Sequence, residues 1–480
     1  MAMGIGLDLG STRIKAARLG SEGRLTNLIS VDAPALQGDD PIRQCDAEDY
    51  VKRAETLLGQ ILAGCSRNVP VGLSSQRSSF LLWERSSGQP VTPMISWQDR
   101  RAADWCVRHL SAYEPLAAHT GLPLSPHYAG PKLALLLSTN VAVKDAAHRG
   151  ELCFGTLDTY LIWRLTQGHV HQTDISMAAR TAILDVRCGR WDAALLKFYG
   201  IPLSLLPAIV SSHGLTLSLS GGGRLAASCA DQAASLITAQ AAESKAMALN
   251  LGTGGFVMVS TGSTFAHARG YLSAPVSQNP QGDILYALEG TINAIGSTLA
   301  RYAGPSPKLS DHDPAPELFC LPDNAGIGAP YWQPNQNLIF SQKTDDLSDE
   351  LLRRAAMEGI IFRVCRIALD FKKHTDFSCL IVSGGLSAEA FVVQGLAACS
   401  GLRVVLCEEK ETSLWGAAAN ALQEDLPAPD VREIIPVGLQ GGYLKAKFKR
   451  WCRWLDSVLD GEKGTSIKSA PGRGRTEATC

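Results

Sequence analysis

The sequence lacks the marks of a disulfide framework, a structural metal site or a membrane span. Its 13 cysteines are odd in number and scattered, and no Cys-x-x-Cys pair occurs. This pattern argues against a zinc site and against a fold stapled by disulfides. The longest apolar runs, such as 133–137, are far shorter than a bilayer-spanning helix. We therefore expect a protein of the reducing cytoplasm with no membrane partner.

The sequence also lacks an excess of either charge. It has 45 Lys and Arg against 46 Asp and Glu, a formal net charge of -1. No overall field attracts nucleic acid, so no nucleic-acid partner is expected. The first strand-like run begins almost at Met1 and leaves no room for a signal peptide, which again favours the cytoplasm. A chain of 480 residues is too long for one core and predicts at least two domains.

What the sequence does contain is one short pattern that occurs twice, at residues 6–12 and 248–254. Each copy is an alternating strand, a glycine and a hydroxyl residue, followed by another strand-like run. Glycine in such a turn lets the backbone approach a ligand closely, and consecutive N–H groups form an anion-binding nest. Two such turns, one in each domain, predict two phosphate clamps on one nucleotide. The first hypothesis is therefore a phosphoryl-transfer enzyme.

Local patterns place the other elements around these turns. Residues 4–19 are expected to form a hairpin, and Val69–Leu73 a strand that runs into Ser74–Arg77. Strand 380–382 precedes Gly384 and Gly385. Helices are predicted over 46–64 with Asp46 as cap, from 97 to about 110, over 155–166, over 231–241, from a cap at Ser348, from about Ser387 and over 414–422.

The domain boundary is predicted near residue 236. The expected units are 1–235, which carries most of the acceptor pocket, 236–425, which binds nucleotide, and a basic tail over 426–480. Lysines and arginines between 445 and 453 cluster around Trp451 and Trp454. This cluster is interpreted as a solvated helix, with a surface-binding segment as the alternative. The Gly-, Ser-, Lys- and Arg-rich stretch 461–480 is expected to be disordered.

The order of these motifs resembles one family, the FGGY carbohydrate kinases, over about residues 4–422. The resemblance rests on Gly6–Thr12, Trp97–Arg101, Gly155–Trp163, Thr173-Asp174 with Ala179-Arg180-Thr181, Asp231-Gln232, Gly252–Gly254 and Gly384-Gly385. It implies an α/β fold of two actin-like, ribonuclease H-like domains with a cleft between them. It also implies an ATP- and Mg²⁺-dependent kinase that phosphorylates a hydroxyl of a small polyol or sugar, and a possible homo-oligomer.

The resemblance also implies roles on the donor side of the site. Asp231 would be the catalytic base, and with Asp8 it would hold the metal; a simple helix cap is the alternative for Asp231. Phosphate contacts would come from Gly10, Ser11, Thr12, Lys15, Gly252 and Thr253. Contacts with the nucleoside would come from Gly384, Gly385 and Glu389. Family members that phosphorylate glycerol have aspartate and asparagine where this chain has Ser383 and Glu389, so the base contact must be remade or lost.

On the acceptor side, the implied residues are Arg77, Ser78, Trp97, His127, Asp231, Gln232 and Phe256. Family members that phosphorylate glycerol carry an Arg-Glu pair where this chain has Arg77 and Ser78, so one hydroxyl replaces a carboxylate. Their pocket tyrosine aligns with His127, with Tyr128 one residue away. These changes predict a different hydroxyl preference, with a larger polyol or a keto-sugar as candidates.

Two other functions are left open by the sequence. A catalytically silent regulatory protein could keep the fold and bind a nucleotide or a sugar, as the changes at Ser383 and Glu389 suggest. An actin-like or chaperone-type ATPase would share the two glycine turns. It would not carry the motifs at 97–101 and 155–163, which favours the kinase.

Overall fold

The computed structural model describes residues 2–310, 312–333, 336–423, 428–435 and 441–461. Its helices are α1 Ala47–Leu62, α2 Ala103–Tyr113, α3 Ala117–Thr120, α4 Ala129–Thr139, α5 Val141–His148, α6 Leu157–Leu165, α7 Ile175–Ala179, α8 Ala193–Tyr199, α9 Asp231–Ala242, α10 Ile295–Ala300, α11 Asp349–Phe371, α12 Ala390–Ser400, α13 Thr412–Leu422 and α14 Tyr443–Gly461. None of the helices in these ranges is long and apolar enough to cross a membrane.

The strands divide between the two halves of the chain. In the first half they are β1 Ala2–Leu9, β2 Arg13–Gly20, β3 Leu25–Asp32, β4 Gln44–Cys45, β5 Pro70–Ser75, β6 Phe80–Glu84, β7 Met94–Ile95, β8 Leu152–Thr156, β9 Gln172–Asp174, β10 Leu184–Asp185, β11 Arg190–Trp191, β12 Ala208–Val210, β13 His213–Ser218 and β14 Arg224–Ala230. In the second half they are β15 Ala246–Leu251, β16 Gly255–Gly262, β17 Leu272–Gln278, β18 Ile284–Ile292, β19 Cys320–Leu321, β20 Ile339–Phe340, β21 Cys379–Ser383, β22 Arg403–Cys407 and β23 Val431–Ile434.

Two large sheets share one strand arrangement. The six-stranded sheet has the order β13-β14-β5-β1-β2-β3, and the seven-stranded sheet has the order β17-β18-β16-β15-β21-β22-β23. In each sheet an antiparallel hairpin, β1-β2 or β15-β16, continues into parallel neighbours, β5 and β14 or β21 and β22. The repeated arrangement confirms the predicted α/β fold of two actin-like units. The exact limits 1–235, 236–425 and 426–480 stay a prediction.

Most predicted elements are present where local signals marked them. Asp46 caps α1 by accepting from the backbone N of Asp49 at 3.0 Å, and Ser348 caps α11. Two predicted helix starts were wrong. Residues 97–101 form turns, and α2 begins only at Ala103. Buried Asp99 accepts from the backbone N–H of Arg43 and of Arg101, and such bonds compete with a helix. After Gly385 a short 3₁₀ turn intervenes, so α12 begins at Ala390.

The solvated-helix interpretation of the basic tail was also wrong for one face of α14. Leu444, Phe448, Trp451 and Leu455 follow helical spacing and are buried in the core of the second half. Lys447 is also buried, and its ammonium lies 2.7 Å from Glu358 and 3.1 Å from Asp313. The stretch expected to be disordered was 461–480, and all of it beyond Gly461 lies outside the described residues.

Helices α9 and α13 pack closely on each other, with α13 also lying on the six-stranded sheet. A Cβ built on Gly416 of α13 would lie 1.9 Å from the main-chain oxygen of Ala234 in α9. A Cβ on Gly72 of β5 would lie 1.8 Å from the main-chain oxygen of Ala417. Contacts this short leave no room for a side chain, so glycine is required at both positions. The helix predicted over 414–422 is present as α13, and its small residues allow this close packing.

Gly416→Ala is therefore expected to destabilise the protein by about 2 kcal/mol or more, because the new methyl group must push two main chains apart. Gly59→Ala, on the exposed side of α1 with nothing within 4 Å of its Cβ position, is the matched control. It should stabilise the protein by up to about 1 kcal/mol, since alanine is the better helix former. Urea unfolding of both variants measures the difference. Equal stability of the two variants would contradict the packing described here.

Candidate active site

The two predicted glycine turns lie at equivalent positions of the two sheets. Gly10 follows β1, and Gly252 follows β15. A Cβ on Gly10 would lie 2.5 Å from the main-chain oxygen of Arg13, so this turn requires glycine. Ser11, Thr12 and Thr253 are exposed at the tips of the turns. Their hydroxyl and N–H groups can therefore reach a ligand.

The third turn, at Gly384, lies directly beside the second. Gly384 has φ +89°, and its Cβ position is 2.5 Å from the main-chain oxygen of Leu251 and 2.6 Å from Oδ1 of Asn250. Only glycine combines this backbone conformation with such close approach. The strand–Gly-Gly element predicted from the sequence therefore borders the end of β15.

Asp8 is a buried carboxylate at the end of β1, and its side chain is held by two serines. Ser74 Oγ donates to Oδ1 at 2.8 Å, and Ser413 Oγ donates to Oδ2 at 3.1 Å. Burial raises the pKa of Asp8 to about 6, and the carboxylate of Asp231 acts in the same direction, while the serine bonds oppose the shift. Asp8 and Asp231 are thus close enough to interact.

Asp231 is the first residue of α9, with Ala230 at the cap position, so it is not a simple helix cap. Its Oδ1 accepts from the backbone N of Gln232 at 2.7 Å and lies 3.6 Å from Nε of Arg77. Burial raises the pKa of Asp231, and the guanidinium of Arg77 opposes that rise. The Asp231 side chain is 31% exposed, so a ligand can reach this carboxylate.

Arg77 and Arg180, from the first half of the chain, meet Glu289 from the second half. Glu289 lies on β18, and its Oε2 accepts from Nη1 of Arg77 at 2.7 Å and from Nη2 of Arg180. Its Oε1 accepts from Nη2 of Arg77 at 3.2 Å. Although burial opposes ionisation, the two guanidiniums lower the pKa of Glu289 to about 2. This carboxylate is therefore ionised at any physiological pH.

Ser78 does not offer its hydroxyl to the site. It is fully buried, and its Oγ donates to the main-chain oxygen of Arg180 at 2.9 Å. Its φ of +66° is rare for a residue other than glycine. The serine that stands in the place of a carboxylate therefore fixes the backbone near Arg180.

Three aromatic rings, referred to below as the aromatic wall, lie near Arg77 and Arg180. The rings of Trp97 and His127 are 5.3 Å apart, and Tyr128 contacts His127 edge-on at 5.3 Å. Burial and the nearby cations Lys132, Arg77 and Arg180 lower the pKa of His127 to about 3, so its imidazole is neutral. Both His127 and Tyr128 lie near the arginines, since the charges of Arg77 and Arg180 affect both pKa values. The structure thus brings both alternative residues to the site.

Lys132 holds the two backbone segments that present this wall. Its buried ammonium donates to the main-chain oxygen of Ser96 at 2.7 Å and to that of His127 at 3.3 Å. Burial lowers the pKa of Lys132 to about 7. One side chain therefore ties the loop before Trp97 to the loop that carries His127.

Gln232 and Phe256 line one small cleft between α9 and the seven-stranded sheet. Asn250, Ser383 and Thr412 line the same cleft. Ser383 Oγ donates to the main-chain oxygen of Leu249 at 3.4 Å. The cleft thus connects residues predicted for the acceptor side with the end of β21 on the donor side.

Two charged residues predicted for the donor side are already paired. Lys15 lies 2.5 Å from the carboxylate of Glu411. Glu389, immediately before α12, accepts from Nη2 of Arg353 at 3.0 Å. A ligand at either place would meet an ion pair rather than a lone charge.

Sequence reasoning missed Glu289 as a site residue and gave Arg180 no role there. The available signal was a single charged side chain inside the mostly apolar strand Ile284–Ile292. A charged side chain in a buried strand must be paired, so its presence implied a cationic partner. The sequence did not show which cation, because Glu289 is 212 residues from Arg77 and 109 from Arg180.

Comparisons with known proteins agree with these observations. Residues 3–220 match the N-terminal domain, and residues 247–423 the C-terminal domain, of the FGGY family of carbohydrate kinases. A glycerol kinase of Xanthobacter autotrophicus is 30% identical over 455 residues, covering 89% of this chain and 91% of that protein.

Among solved structures, the glycerol kinase of Plasmodium falciparum with ADP has a TM-score of 0.81 at 20% identity, covering 96% of this chain and 98% of that one. The ligand-bound xylulose kinase of Lactobacillus acidophilus has a TM-score of 0.78 at 21% identity, covering 95% and 98%. At such identities these two structures show the shared fold alone.

Proposed function

This chain belongs to the FGGY family of carbohydrate kinases, which makes it an ATP-dependent phosphotransferase with a sugar or polyol hydroxyl as acceptor, and we propose that Asp231 is its catalytic base. One observation carries the assignment. Of the three carboxylates that meet at this site, Asp8 and Glu289 are buried and bonded on both oxygens, whereas the Asp231 side chain is 31% exposed. Asp231 is therefore the carboxylate that an acceptor hydroxyl can reach.

The surroundings of Asp231 suit a proton acceptor. Phosphoryl transfer requires alignment of donor and acceptor, charge stabilisation and a group that takes the hydroxyl proton. Burial makes Asp231 more basic than an ordinary carboxylate, and Arg77 keeps its pKa from rising further. The N–H of Gln232 fixes one oxygen at 2.7 Å. Asp231 can then take the proton from the attacking hydroxyl as the new P–O bond forms.

The residues present also fit a magnesium ion. Within the described part of the chain no three His, Cys, Asp or Glu side chains form a metal cage, but Mg²⁺ is commonly held by one or two carboxylates, waters and substrate phosphates. Asp8 and Asp231 are two interacting carboxylates; burial mainly raises the pKa of Asp8, and a bound cation would relieve the repulsion from Asp231 that adds to this rise. When bound, the ion would neutralise charge on the ATP phosphates.

We assign the donor phosphates to the two glycine turns. Gly10, Ser11, Thr12, Gly252 and Thr253 offer N–H and hydroxyl donors there. Lys15 would supply positive charge in partnership with Glu411. Gly384 and Gly385 would border the nucleoside, since Gly384 lies against the end of β15. Glu389 would act there as an ion pair with Arg353 rather than as a free carboxylate.

We assign the acceptor to the space beside Arg77, Trp97, His127, Gln232 and Phe256. Trp97 and neutral His127 offer an apolar ring face and a polar ring edge, which suit the carbon skeleton and the hydroxyls of a sugar. Because the Ser78 hydroxyl donates to the main-chain oxygen of Arg180, position 78 offers the acceptor neither a carboxylate nor a free hydroxyl. This supports an acceptor other than glycerol, such as a longer polyol or a keto-sugar.

The other two functions considered from the sequence gain no support. Both halves of the chain match carbohydrate-kinase domains, and Asp8 and Asp231 are both present at the site. We also propose that the protein works in the cytoplasm, because the 12 cysteines within the described residues are all free thiols.

A screen of acceptors tests the proposed function. Purified protein with Mg-ATP would be offered glycerol, xylitol, D-xylulose and D-gluconate, with ADP release as readout and a reaction without acceptor as control. We expect ADP release to depend on one of these acceptors, with the longer ones preferred to glycerol. Release that is equal with and without every acceptor would contradict phosphoryl transfer to this class of alcohol.

A further inference from the structure

We propose that Glu289 is a positioning residue that holds Arg77 in the orientation that acceptor binding requires. The proposal rests on the assignment of Arg77 to the acceptor pocket. It adds a residue from the seven-stranded sheet to a pocket otherwise built largely from the first half of the chain. No local motif of the sequence pointed to this role.

The contacts of Glu289 fix the plane of the Arg77 guanidinium. Both Nη atoms of Arg77 bond to the two carboxylate oxygens, at 2.7 and 3.2 Å. A guanidinium is planar and rigid, so a paired contact of this kind sets the directions of its other N–H groups. The nitrogen that makes no bond to Glu289, Nε, lies 3.6 Å from Oδ1 of Asp231. Glu289 thus determines how Arg77 faces the proposed base.

Arg180 makes the negative charge of Glu289 necessary. Its Nη2 bonds to the same oxygen, Oε2, that accepts from Arg77, so one carboxylate holds two buried guanidiniums together. Without that charge the two cations would repel each other. Arg77 would then turn further towards Asp231, whose Oδ1 already lies 3.6 Å from its Nε. A direct ion pair with Asp231 would take Arg77 away from the acceptor.

Glu289 also links the acceptor side to the donor side of the molecule. Arg77 follows β5 of the six-stranded sheet, and Glu289 lies on β18 of the seven-stranded sheet. In the latter sheet β18 pairs with β16, and Glu289 stands opposite Met258, two residues beyond Phe256. The strand that follows the second glycine turn is therefore next to the strand that positions Arg77.

Glu289→Gln tests this role, because it keeps the shape of the side chain and removes its charge. Glu358→Gln is the matched control: Glu358 is an equally buried carboxylate of the second half, held by Lys447 at 2.7 Å and by Arg354 at 3.3 Å. KM for Mg-ATP and for the best acceptor among glycerol, xylitol, D-xylulose and D-gluconate would be measured with the melting temperature of each variant.

We expect Glu289→Gln to raise the acceptor KM at least tenfold and to leave the KM for Mg-ATP within twofold. Glu289→Asp, which keeps the charge on a shorter side chain, should recover part of the loss. Glu358→Gln should lower the melting temperature and leave both KM values within twofold. This split between two substrates separates positioning from a general loss of stability.

A lowered melting temperature with an unchanged acceptor KM in Glu289→Gln would overturn the proposal, because Glu289 would then be a structural ion pair like Glu358. Failure of both Glu289 variants to fold would count against it in the same way. If the wild-type protein phosphorylates none of the four acceptors, the proposed function itself fails, which is a distinct result. Acceptor turnover by the wild type with an unaffected Glu289→Gln variant refutes only the positioning role.

Discussion

Replacing Asp231 with asparagine should lower kcat for acceptor phosphorylation by about 10³-fold, within the range of 10² to 10⁴ typical of a lost general base. Asparagine has nearly the same shape, and its amide oxygen can still accept from the backbone N of Gln232. It cannot take a proton from the acceptor hydroxyl. We therefore expect acceptor binding, measured by calorimetry, to change by only a few-fold while turnover is nearly lost.

The control for Asp231→Asn is a carboxylate in the first half of the chain that takes no part in the proposed active site. Asp185 lies in the short strand β10, and its Oδ1 accepts from the nearby backbone N of Arg187. Asp185→Asn should retain wild-type kcat. Turnover close to wild type in Asp231→Asn would remove Asp231 as the base. Loss of turnover together with loss of acceptor binding would instead indicate a role in binding.

Replacing Asp8 with asparagine should make the protein more stable and less active at the same time. The folded protein holds the pKa of Asp8 at about 6, against 3.8 for an ordinary aspartate, so keeping it ionised costs stability above pH 6. A shift of about two pKa units corresponds to at most about 3 kcal/mol. The amide can keep both serine contacts, because the hydroxyl of Ser413 can turn to accept.

The stability gained in Asp8→Asn depends on pH, because it comes from removing a buried carboxyl that ionises. Below about pH 4 the carboxyl is protonated in both the folded and the unfolded chain, so wild type and Asp8→Asn should be equally stable. The stability gain of the variant should grow between pH 4 and 6 and then stay constant. Urea unfolding in EDTA across this range measures it. A variant less stable than the wild type at pH 7.5 would contradict the burial cost assigned to Asp8.

The activity of Asp8→Asn should fall by about 100-fold or more with saturating acceptor, because the variant loses one of the two carboxylates proposed for magnesium. Raising the Mg²⁺ concentration should recover part of the rate if the loss lies in metal affinity. Full activity at ordinary Mg²⁺ concentrations would remove Asp8 from the metal site. Greater stability with lower activity is expected of a buried carboxylate that is kept for function at a cost in stability.

Local signals in the sequence predicted the parts of the fold that local chemistry determines. The glycine turns after β1 and β15 follow from strand patterns interrupted by glycine, and the caps at Asp46 and Ser348 from side chains that bond to the first helical turn. The position of Asp231 at the start of α9 was predicted in the same way. Each of these features depends on residues only a few positions apart.

The missed features depend on contacts between distant segments. Glu289 reaches Arg77 from the other sheet, and no spacing rule connects residues 212 positions apart. Lys447 was expected in solvent because a cluster of lysines is usually exposed. It is buried because its ammonium pairs with the carboxylates of Asp313 and Glu358. The helix expected at Trp97 was displaced because Arg43, from another segment, donates to Asp99 and stabilises a turn there.

The structure of a ternary complex tests the central claim most directly. The protein would be crystallised with Mg²⁺, a non-hydrolysable ATP analogue and its best acceptor. We predict that one acceptor hydroxyl lies about 2.6–3.2 Å from a carboxylate oxygen of Asp231 and in line with the terminal phosphorus, with the phosphates against the turns at Gly10 and Gly252. An acceptor bound away from Asp231, or phosphates bound away from both turns, would contradict the account.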